Sequence, residues 1–384
     1  YFGKLVRDAA KQRDVEIVGM DDEELFGPVI HKLTFGEAIN RKLLNDYQVV
    51  IVGVDEPRIK SLIDNYEIVQ AKEGYQTDAR TLAAEIGLIK AIKDHDLHRV
   101  ISFHSRVKGA KDFSEKFIET TELIKPSKRP DGEVFADYVS GAMKTVERID
   151  RIMKLKSLDN FKRGVLCNSR CLSEGVDVPS LDGIAFIDPR GSQIDIIQSV
   201  GRAIRKVRGS STQKLGTIII PVFIEEGETP EISIEASNFK QVWDVLNALR
   251  AHDDVLSEVL DNYRAGLARK KVKSSTPIKK VIFDLPTSVG QDFASALRTI
   301  LVEKSSSSWE FWFAKLELYK NEHGDCLVPQ KYNTIDGIKL GQWVGTQRQK
   351  KNMLTQDNIR RLDELGFVWN FNEYFWVKGY DALQ

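Results

Sequence analysis

The amino-acid sequence predicts an α/β protein: a parallel sheet sandwiched by helices, followed by an all-α helical connector and a small helical module. Short Val/Ile-rich runs alternate with helical patterns up to residue 230. From residue 231 to residue 268 the apolar residues recur only at helical spacing, and an aromatic segment begins at residue 309. Such changes in the period of the apolar residues are the main sequence signal of fold class.

The predicted strands are short runs of nearly continuous apolar residues. Runs rich in Val and Ile are typical of strands that are buried on both faces of a sheet. The runs are Val49–Val54, Val100–His104, Val134–Val139, Val165–Cys167, Ile184–Ile187 and Thr217–Phe223.

Helical patterns lie between most of these runs. They are Ala79–Lys93, Lys111–Ile118, Thr145–Leu155 and Ile194–Ile204. Strands that alternate with helices indicate β-α-β units, and therefore a parallel sheet. We assign residues 25–230 to this domain.

The connector covers residues 231–304 and contains a basic stretch at 269–280. That stretch has six basic residues and no acidic one. It is interpreted either as a solvated linker or as an arm that faces phosphates.

The aromatic module covers residues 305–370. Its opening sequence Glu310–Lys315 (EFWFAK) is echoed by Glu373–Lys378 (EYFWVK). We therefore expect residues 371–384 to begin a second, truncated copy of the module.

The composition narrows the possible classes of protein. Basic and acidic residues number 56 each, but a zero net charge does not exclude a nucleic-acid partner, because local patches set binding. No run approaches the ~20 apolar residues of a membrane helix, so no membrane partner is expected.

Three cysteines in 384 residues favour a reducing compartment, and we expect a cytoplasmic protein. The chain begins without Met and ends within a helical pattern, so we expect a piece of a longer protein.

Three polar side chains share one face of the predicted helix at 194–204. Gln198, Arg202 and Arg205 are separated by four and three residues. Gly201, on the same helix, would let another backbone come close. Guanidinium groups bind phosphate oxygens bidentately and offset charge that develops during phosphoryl transfer. A surface helix with solvated arginines is the alternative interpretation.

A polar turn follows the predicted strand at 165–167. Asn168, Ser169 and Arg170 stand at the strand end, where open α/β sheets bind ligands. Gly175 permits a tight backbone path, and Asp177 could accept hydrogen bonds from a ribose or pair with an arginine. Taken alone, this segment could equally be an ordinary turn.

These two segments resemble motifs V and VI of superfamily 2 helicases of the DEAD/DEAH-like kind. Arg99–Arg106 (RVISFHSR) resembles motif IV, and Tyr138–Gly141 (YVSG) resembles the turn after it that contacts nucleic acid. All four segments stand in the family order within residues 25–230. The chain departs from many DEAD-box proteins in having Gln198 where they have His. The resemblance implies a RecA-like sheet, the second motor domain of such a protein.

The resemblance also implies roles for the matching residues. Arg202 and Arg205 would be arginine fingers that reach ATP, and Gln198 would orient the phosphates or the fingers. The residues expected to line the ATP cleft are Gly175, Asp177 and Gly201. The residues expected to contact nucleic acid, DNA in preference to RNA, are Phe103, His104, Arg106, Ser140, Gly141, Asn168, Ser169 and Arg170.

No phosphate-binding Gly-x-x-x-x-Gly-Lys-Ser/Thr loop occurs in the sequence. An apolar run with carboxylates, Ile17–Glu24, could hold magnesium, but we favour an acidic interdomain linker, and Tyr1–Lys4 resembles the segment that follows motif III. Residues 1–24 would then be the tail of a first motor domain and its linker. ATP and Mg²⁺ would be held mainly by that first domain. We therefore expect this chain alone to be inactive, although the whole protein would be an ATP-dependent helicase or translocase.

Residues 309–370 resemble the helicase-associated domain of some bacterial helicases. The resemblance follows Trp309, the Gly-Asp and Val-Pro pairs, Leu340–Trp343 and the closing Leu-Gly-Phe-Val-Trp369. The family's proposed role is nucleic-acid binding, and Arg348, Lys350 and Lys351 are the candidate contacts. A solvated basic face is the alternative for these three, and core packing is the favoured interpretation of the tryptophans.

Two other functional classes stay open. A degenerate motor could serve only as a non-catalytic binding module for nucleic acid or protein. A related hypothesis is that the chain belongs to the motor subunit of a restriction-type system. No metal site is expected, because Cys167 and Cys171 have no second pair.

Overall fold

The computed structural model describes residues 23–28, 30–31, 33–55, 79–159, 161–169, 181–188, 193–206, 215–225, 227, 229–236, 239–306, 308–335, 337–370, 374 and 376. Several sequence assignments lie outside these residues. They are Tyr1–Lys4, most of Ile17–Glu24, Arg170, Cys171, Gly175, Asp177 and nearly all of 371–384.

Within the described residues, a parallel sheet of seven strands forms the centre, in the order β3-β4-β2-β5-β6-β1-β7. Its strands are β1 Tyr47–Asp55, β2 Arg99–His104, β3 Glu133–Ser140, β4 Lys162–Ser169, β5 Gly183–Asp188, β6 Gly216–Ile224 and β7 Val281–Asp284. The six strands predicted from apolar runs are confirmed, as is the parallel sheet.

Helices cover both faces of this sheet. Those before residue 240 are α1 Glu23–Phe26, α2 Phe35–Asn40, α3 Ala79–Asp94, α4 Val107–Leu123, α5 Thr145–Lys156, α6 Gln193–Ala203 and α7 Pro230–Ala236. Those after it are α8 Lys240–His252, α9 Asp254–Ala268, α10 Gln291–Ser305, α11 Ser308–His323, α12 Leu340–Gln349 and α13 Gln356–Glu364. α3 and α4 pack on one face through Leu88 and Phe113. α5, α6 and α8–α10 share the core of the other face.

The connector is built into the sheet domain. β7 pairs with β1, with Val281 beside Val49, so one strand interrupts the helices of this segment. Leu246, Leu260 and Leu301 from its helices belong to the same core as the sheet. A four-residue strand is too short for its apolar period to be distinguished in sequence.

The aromatic module has an apolar core of its own, formed by α11–α13 and the extended segment between α11 and α12. α11 also packs on α9, where Ala314 meets Ala265 and Ala268 and the Arg269 Nε lies 2.8 Å from a Glu317 carboxylate oxygen. Among the described residues, no helix is long and apolar enough to span a membrane.

Candidate motor site and nucleic-acid interface

α6 buries one face against the core and exposes the other. Ile196 and Val200 are fully buried against the core, and the buried Ser199 hydroxyl donates to the Asp195 carbonyl at 2.6 Å. On the other face Gln198 is exposed and Arg202 is half-buried. The Gln198 amide therefore reaches the molecular surface, whereas the guanidinium of Arg202 is partly buried, with its Nε atom closed to solvent.

Arg205 lies two residues beyond the end of α6, so helical periodicity does not set its direction. It forms an isolated antiparallel bridge with Leu44, just before β1. The buried Asn45 donates from its backbone N–H to the Ile204 carbonyl at 2.7 Å and from its side chain to the Arg205 carbonyl at 3.1 Å. The backbone of Arg205 is thus fixed while its side chain is exposed.

Gly201 borders open space on the surface of α6. A Cβ built there would meet no atom within 4 Å. The close backbone approach expected at this position is therefore not made by the described part of this chain.

The carboxyl ends of β2, β3 and β4 lie at one edge of the sheet, as a parallel sheet requires. Ser140 and Ser169 are register partners there, 2% and 0% exposed, and Asn168 is 4% exposed. Gly141, in the turn after β3, is exposed. The structure thus brings the predicted strand-end residues together, but their serine and asparagine side chains face inward.

His104 occupies a core position. Its Nε2 lies 2.9 Å from the Ser102 hydroxyl, and its ring centroid is 4.9 Å from that of Phe113. Burial lowers its pKa to about 4, so the ring is neutral at physiological pH. A buried neutral imidazole offers no charge to a phosphate, so the burial of His104 argues against the predicted contact with nucleic acid. Arg106 is exposed and Phe103 is half-buried, packed against Phe186.

Asp188, which the sequence reasoning did not select, lies beside the predicted interface residues. It ends β5 and accepts a hydrogen bond from the Ser105 hydroxyl, next to Arg106. The two residues are 83 positions apart, and only the pairing of β2 with β5 brings them together. A polar residue at the end of an apolar run was the only available signal.

The tryptophans of the module are packed against its core, as the sequence analysis favoured. Trp312 stacks on Trp343 with ring centroids 6.1 Å apart. Trp309 donates to the Gln347 side chain at 3.2 Å, and Trp369 donates to Asp363 at 2.7 Å. These rings therefore stabilise the module.

Arg348 is placed within the module and not on a solvated basic face. Its Nε donates to the Val368 carbonyl at 2.7 Å, and its guanidinium lies 5.1 Å from the Phe367 ring centroid. Burial lowers the pKa of this guanidinium. Lys350 is exposed, and the ammonium of the exposed Lys351 lies 4.6 Å above the Trp369 ring. Arg348 thus ties α12 to the end of the module, while the two lysines reach solvent.

The chain is similar to known proteins over two separate regions and over its whole fold. Residues 83–207 match the family described as the helicase conserved C-terminal domain, and residues 306–370 match the helicase associated domain. A protein of African swine fever virus named "Probable helicase A859L" is 26% identical over 253 residues, 64% of this chain. This chain spans only 25% of that relative.

A solved structure has the same fold. It is described as the "ATP-dependent Type ISP restriction-modification enzyme LlaBIII bound to DNA". It covers 94% of this chain at 22% identity with a TM-score of 0.62, and 27% of its own length is matched.

Proposed function

Because residues 83–207 match the helicase conserved C-terminal domain and residues 306–370 match the helicase associated domain, we propose that this chain is the C-terminal half of an ATP-dependent DNA helicase or translocase. In the whole protein, Arg205 and Arg202 act as arginine fingers toward ATP bound by a first motor domain, and Gln198 orients them. The supporting observation is the exposed side chain of Arg205 on a backbone fixed by Leu44 and Asn45. A fixed backbone limits the reorganisation needed to bring a guanidinium to charge that develops in the transition state.

The residues present suit the phosphates of ATP better than its metal ion. Two guanidinium groups complement phosphate oxygens. Among the described residues, no group of three or more His, Cys, Asp or Glu side chains could hold a metal. As the family resemblance implies, Mg²⁺ would be bound mainly by the first domain, and Gly175, Asp177 and Gly201 would line the nucleotide cleft.

Nucleic acid would cross the sheet edge at the end of β2, β3 and β4. The exposed Gly141 turn would offer backbone N–H groups to a phosphate, and Arg106 would add charge. Ser140, Asn168 and Ser169 would support this turn from within, with Phe103 beside them. Arg170, the next residue in the sequence, stays a proposed contact that lies outside the described residues. DNA is the proposed nucleic acid, since the LlaBIII structure is described as bound to DNA.

The decisive experiment is ATP hydrolysis by the full-length protein with and without DNA. DNA-stimulated hydrolysis that falls steeply in the Arg205→Ala variant is the expected result. A full-length protein that binds DNA but hydrolyses no ATP would establish the non-catalytic binding module instead.

A motor subunit of a restriction-type system is a narrower candidate, favoured by the similarity of fold to LlaBIII over 94% of this chain. Its test is methyl transfer to DNA, or DNA cleavage, by the full-length protein or its purified complex. Neither activity is expected if the motor serves another purpose.

A further inference from the structure

A polar groove runs along the outer face of α12 in the aromatic module. It encloses about 600 Å³. Its lining residues are Gln330, Lys331, Asn333, Lys339, Gln342, Gly345, Thr346 and Gln349. We call this surface the amide groove. It does not include Arg348, Lys350 or Lys351.

One wall of the amide groove is a backbone segment held directly against α12. The Gly341 N–H donates to the Tyr332 carbonyl at 3.1 Å. A Cβ at Gly341 would lie 2.1 Å from the Pro329 carbonyl oxygen and 2.6 Å from that of Gln330. Only glycine permits this approach, which places Gln330, Lys331 and Asn333 beside the helix.

The other wall is one face of α12 itself. Gln342, Gly345, Thr346 and Gln349 have the spacing of a helix face, and the two glutamines are exposed. The opposite face is buried in the module through Leu340 and Val344. A Cβ at Gly345 would meet nothing within 4 Å, so the floor of the groove is open to a ligand.

The chemistry of the lining restricts the ligand. The described lining residues include no carboxylate and no apolar side chain larger than the Thr346 methyl group. Amphipathic helices and most small molecules bind apolar pockets, which this groove lacks. Lysine ammonium groups bind phosphates, and the amides of Asn and Gln can bind base edges bidentately.

We propose that the amide groove binds a strand of nucleic acid, with phosphates at Lys331 and Lys339 and base edges or sugars at Gln342 and Gln349. This inference rests on the proposed function and deepens it, because it adds a nucleic-acid contact on the aromatic module to the one proposed at the sheet edge. It rests on the groove and does not depend on the arginine fingers.

The test is fluorescence anisotropy of labelled DNA, single-stranded and duplex, titrated with the whole 384-residue chain at several salt concentrations. Lys331→Glu/Lys339→Glu should weaken binding about tenfold and reduce the slope of log affinity against log salt by about 1.4–1.8, which is two phosphate contacts. The matched control is Lys240→Glu/Lys304→Glu, two exposed connector lysines with the same change of charge. It should retain both affinity and slope.

The glutamines are tested separately. Gln342→Ala/Gln349→Ala should lower affinity several-fold without changing the salt slope, because amides release no counterions. All four substituted side chains are exposed, and unchanged melting temperatures confirm intact folding.

Three outcomes would overturn the inference. The first is that Lys331→Glu/Lys339→Glu retains the DNA affinity and salt slope of its control, and the second is that Gln342→Ala/Gln349→Ala leaves DNA affinity unchanged. The third is that polyglutamate displaces labelled DNA as well as unlabelled DNA does, which would assign the groove to an acidic peptide. Loss of ATP hydrolysis is not a readout here, so failure of the motor proposal would be seen independently in the Arg205→Ala experiment.

Discussion

The hydroxyl of Tyr47, at the start of β1, donates a hydrogen bond of 2.6 Å to the carboxylate of Asp253, which caps α9. Tyr47 is 1% exposed and Asp253 is 0% exposed. The Lys280 ammonium lies 3.3 Å from the same carboxylate and 4.4 Å above the Tyr47 ring. One buried cluster thus joins the first strand of the sheet to the connector helices and to the turn before β7.

We expect Tyr47→Phe to lower the free energy of unfolding by about 1–3 kcal/mol, because it removes a hydrogen bond to a buried carboxylate. Urea unfolding of the whole chain measures this. Tyr138→Phe is the control, since no hydrogen bond of the Tyr138 hydroxyl occurs among the described residues and little change is expected. Equal effects of the two substitutions would show that the hydrogen bond contributes nothing.

Glu85 predicts a pH dependence of stability. It is fully buried in α3, accepts a hydrogen bond of 2.6 Å from Thr120, and burial raises its pKa from 4.5 to about 7. The native state therefore holds this proton more tightly than the unfolded state. Its stabilising effect is complete below about pH 4.5 and declines as the pH rises to about 7. The loss by pH 8 is about 3 kcal/mol.

Unfolding at pH 5 and pH 8 tests this expectation. Glu85→Gln should be more stable than the parent chain at pH 8. Its free energy of unfolding should also differ much less between pH 5 and pH 8 than that of the parent chain. Glu122→Gln, at an exposed position of α4, should follow the parent chain. A pH profile that Glu85→Gln leaves unaltered would contradict the raised pKa.

In the full-length protein, Arg205→Ala and Arg202→Ala should each lower the rate of ATP hydrolysis by about 10³–10⁵, the range of arginine fingers. DNA affinity should stay nearly constant, because the fingers act on the nucleotide. Arg360→Ala, at an exposed position of α13, is the control and should retain the rate. A residue whose loss leaves the rate intact is not a finger.

The 384-residue chain alone should hydrolyse ATP negligibly even with saturating DNA. It contains no phosphate-binding loop to hold the nucleotide. A steady-state assay checks this. Turnover in the ordinary enzyme range of about 1–1000 per second would refute the half-motor interpretation.

Arg348→Ala should destabilise the aromatic module by about 1–3 kcal/mol, since it leaves the Val368 carbonyl without its donor. Lys350→Ala, at the exposed neighbouring position, should leave the melting temperature unchanged. Tryptophan fluorescence follows the unfolding, because Trp343 and Trp369 pack on the module core. Equal melting temperatures for the two variants would place Arg348 on the solvated face after all.

The strands, the order of the elements and the family resemblance were accessible from sequence alone. Val/Ile runs such as those of β1 and β6 are buried on both faces, so their apolar period is a local property that needs no knowledge of their neighbours. The polar face of α6 followed from the same reasoning, because a helix repeats every 3.6 residues.

Contacts between distant segments were decided only by the tertiary structure. Arg205 is held by Asn45, 160 positions away, and Asp188 meets Ser105 across 83 positions. The spacing of apolar residues along the sequence is local information and does not indicate which distant residues form contacts. In the sequence, His104 cannot be distinguished from any other histidine at a strand end. In the structure, β2 is an inner strand of the sheet, and desolvation keeps the His104 ring neutral. The amide groove likewise forms only because the segment at 329–332 packs on Gly341. This is a contact between two backbones, and the pattern of side chains in the sequence does not predict it.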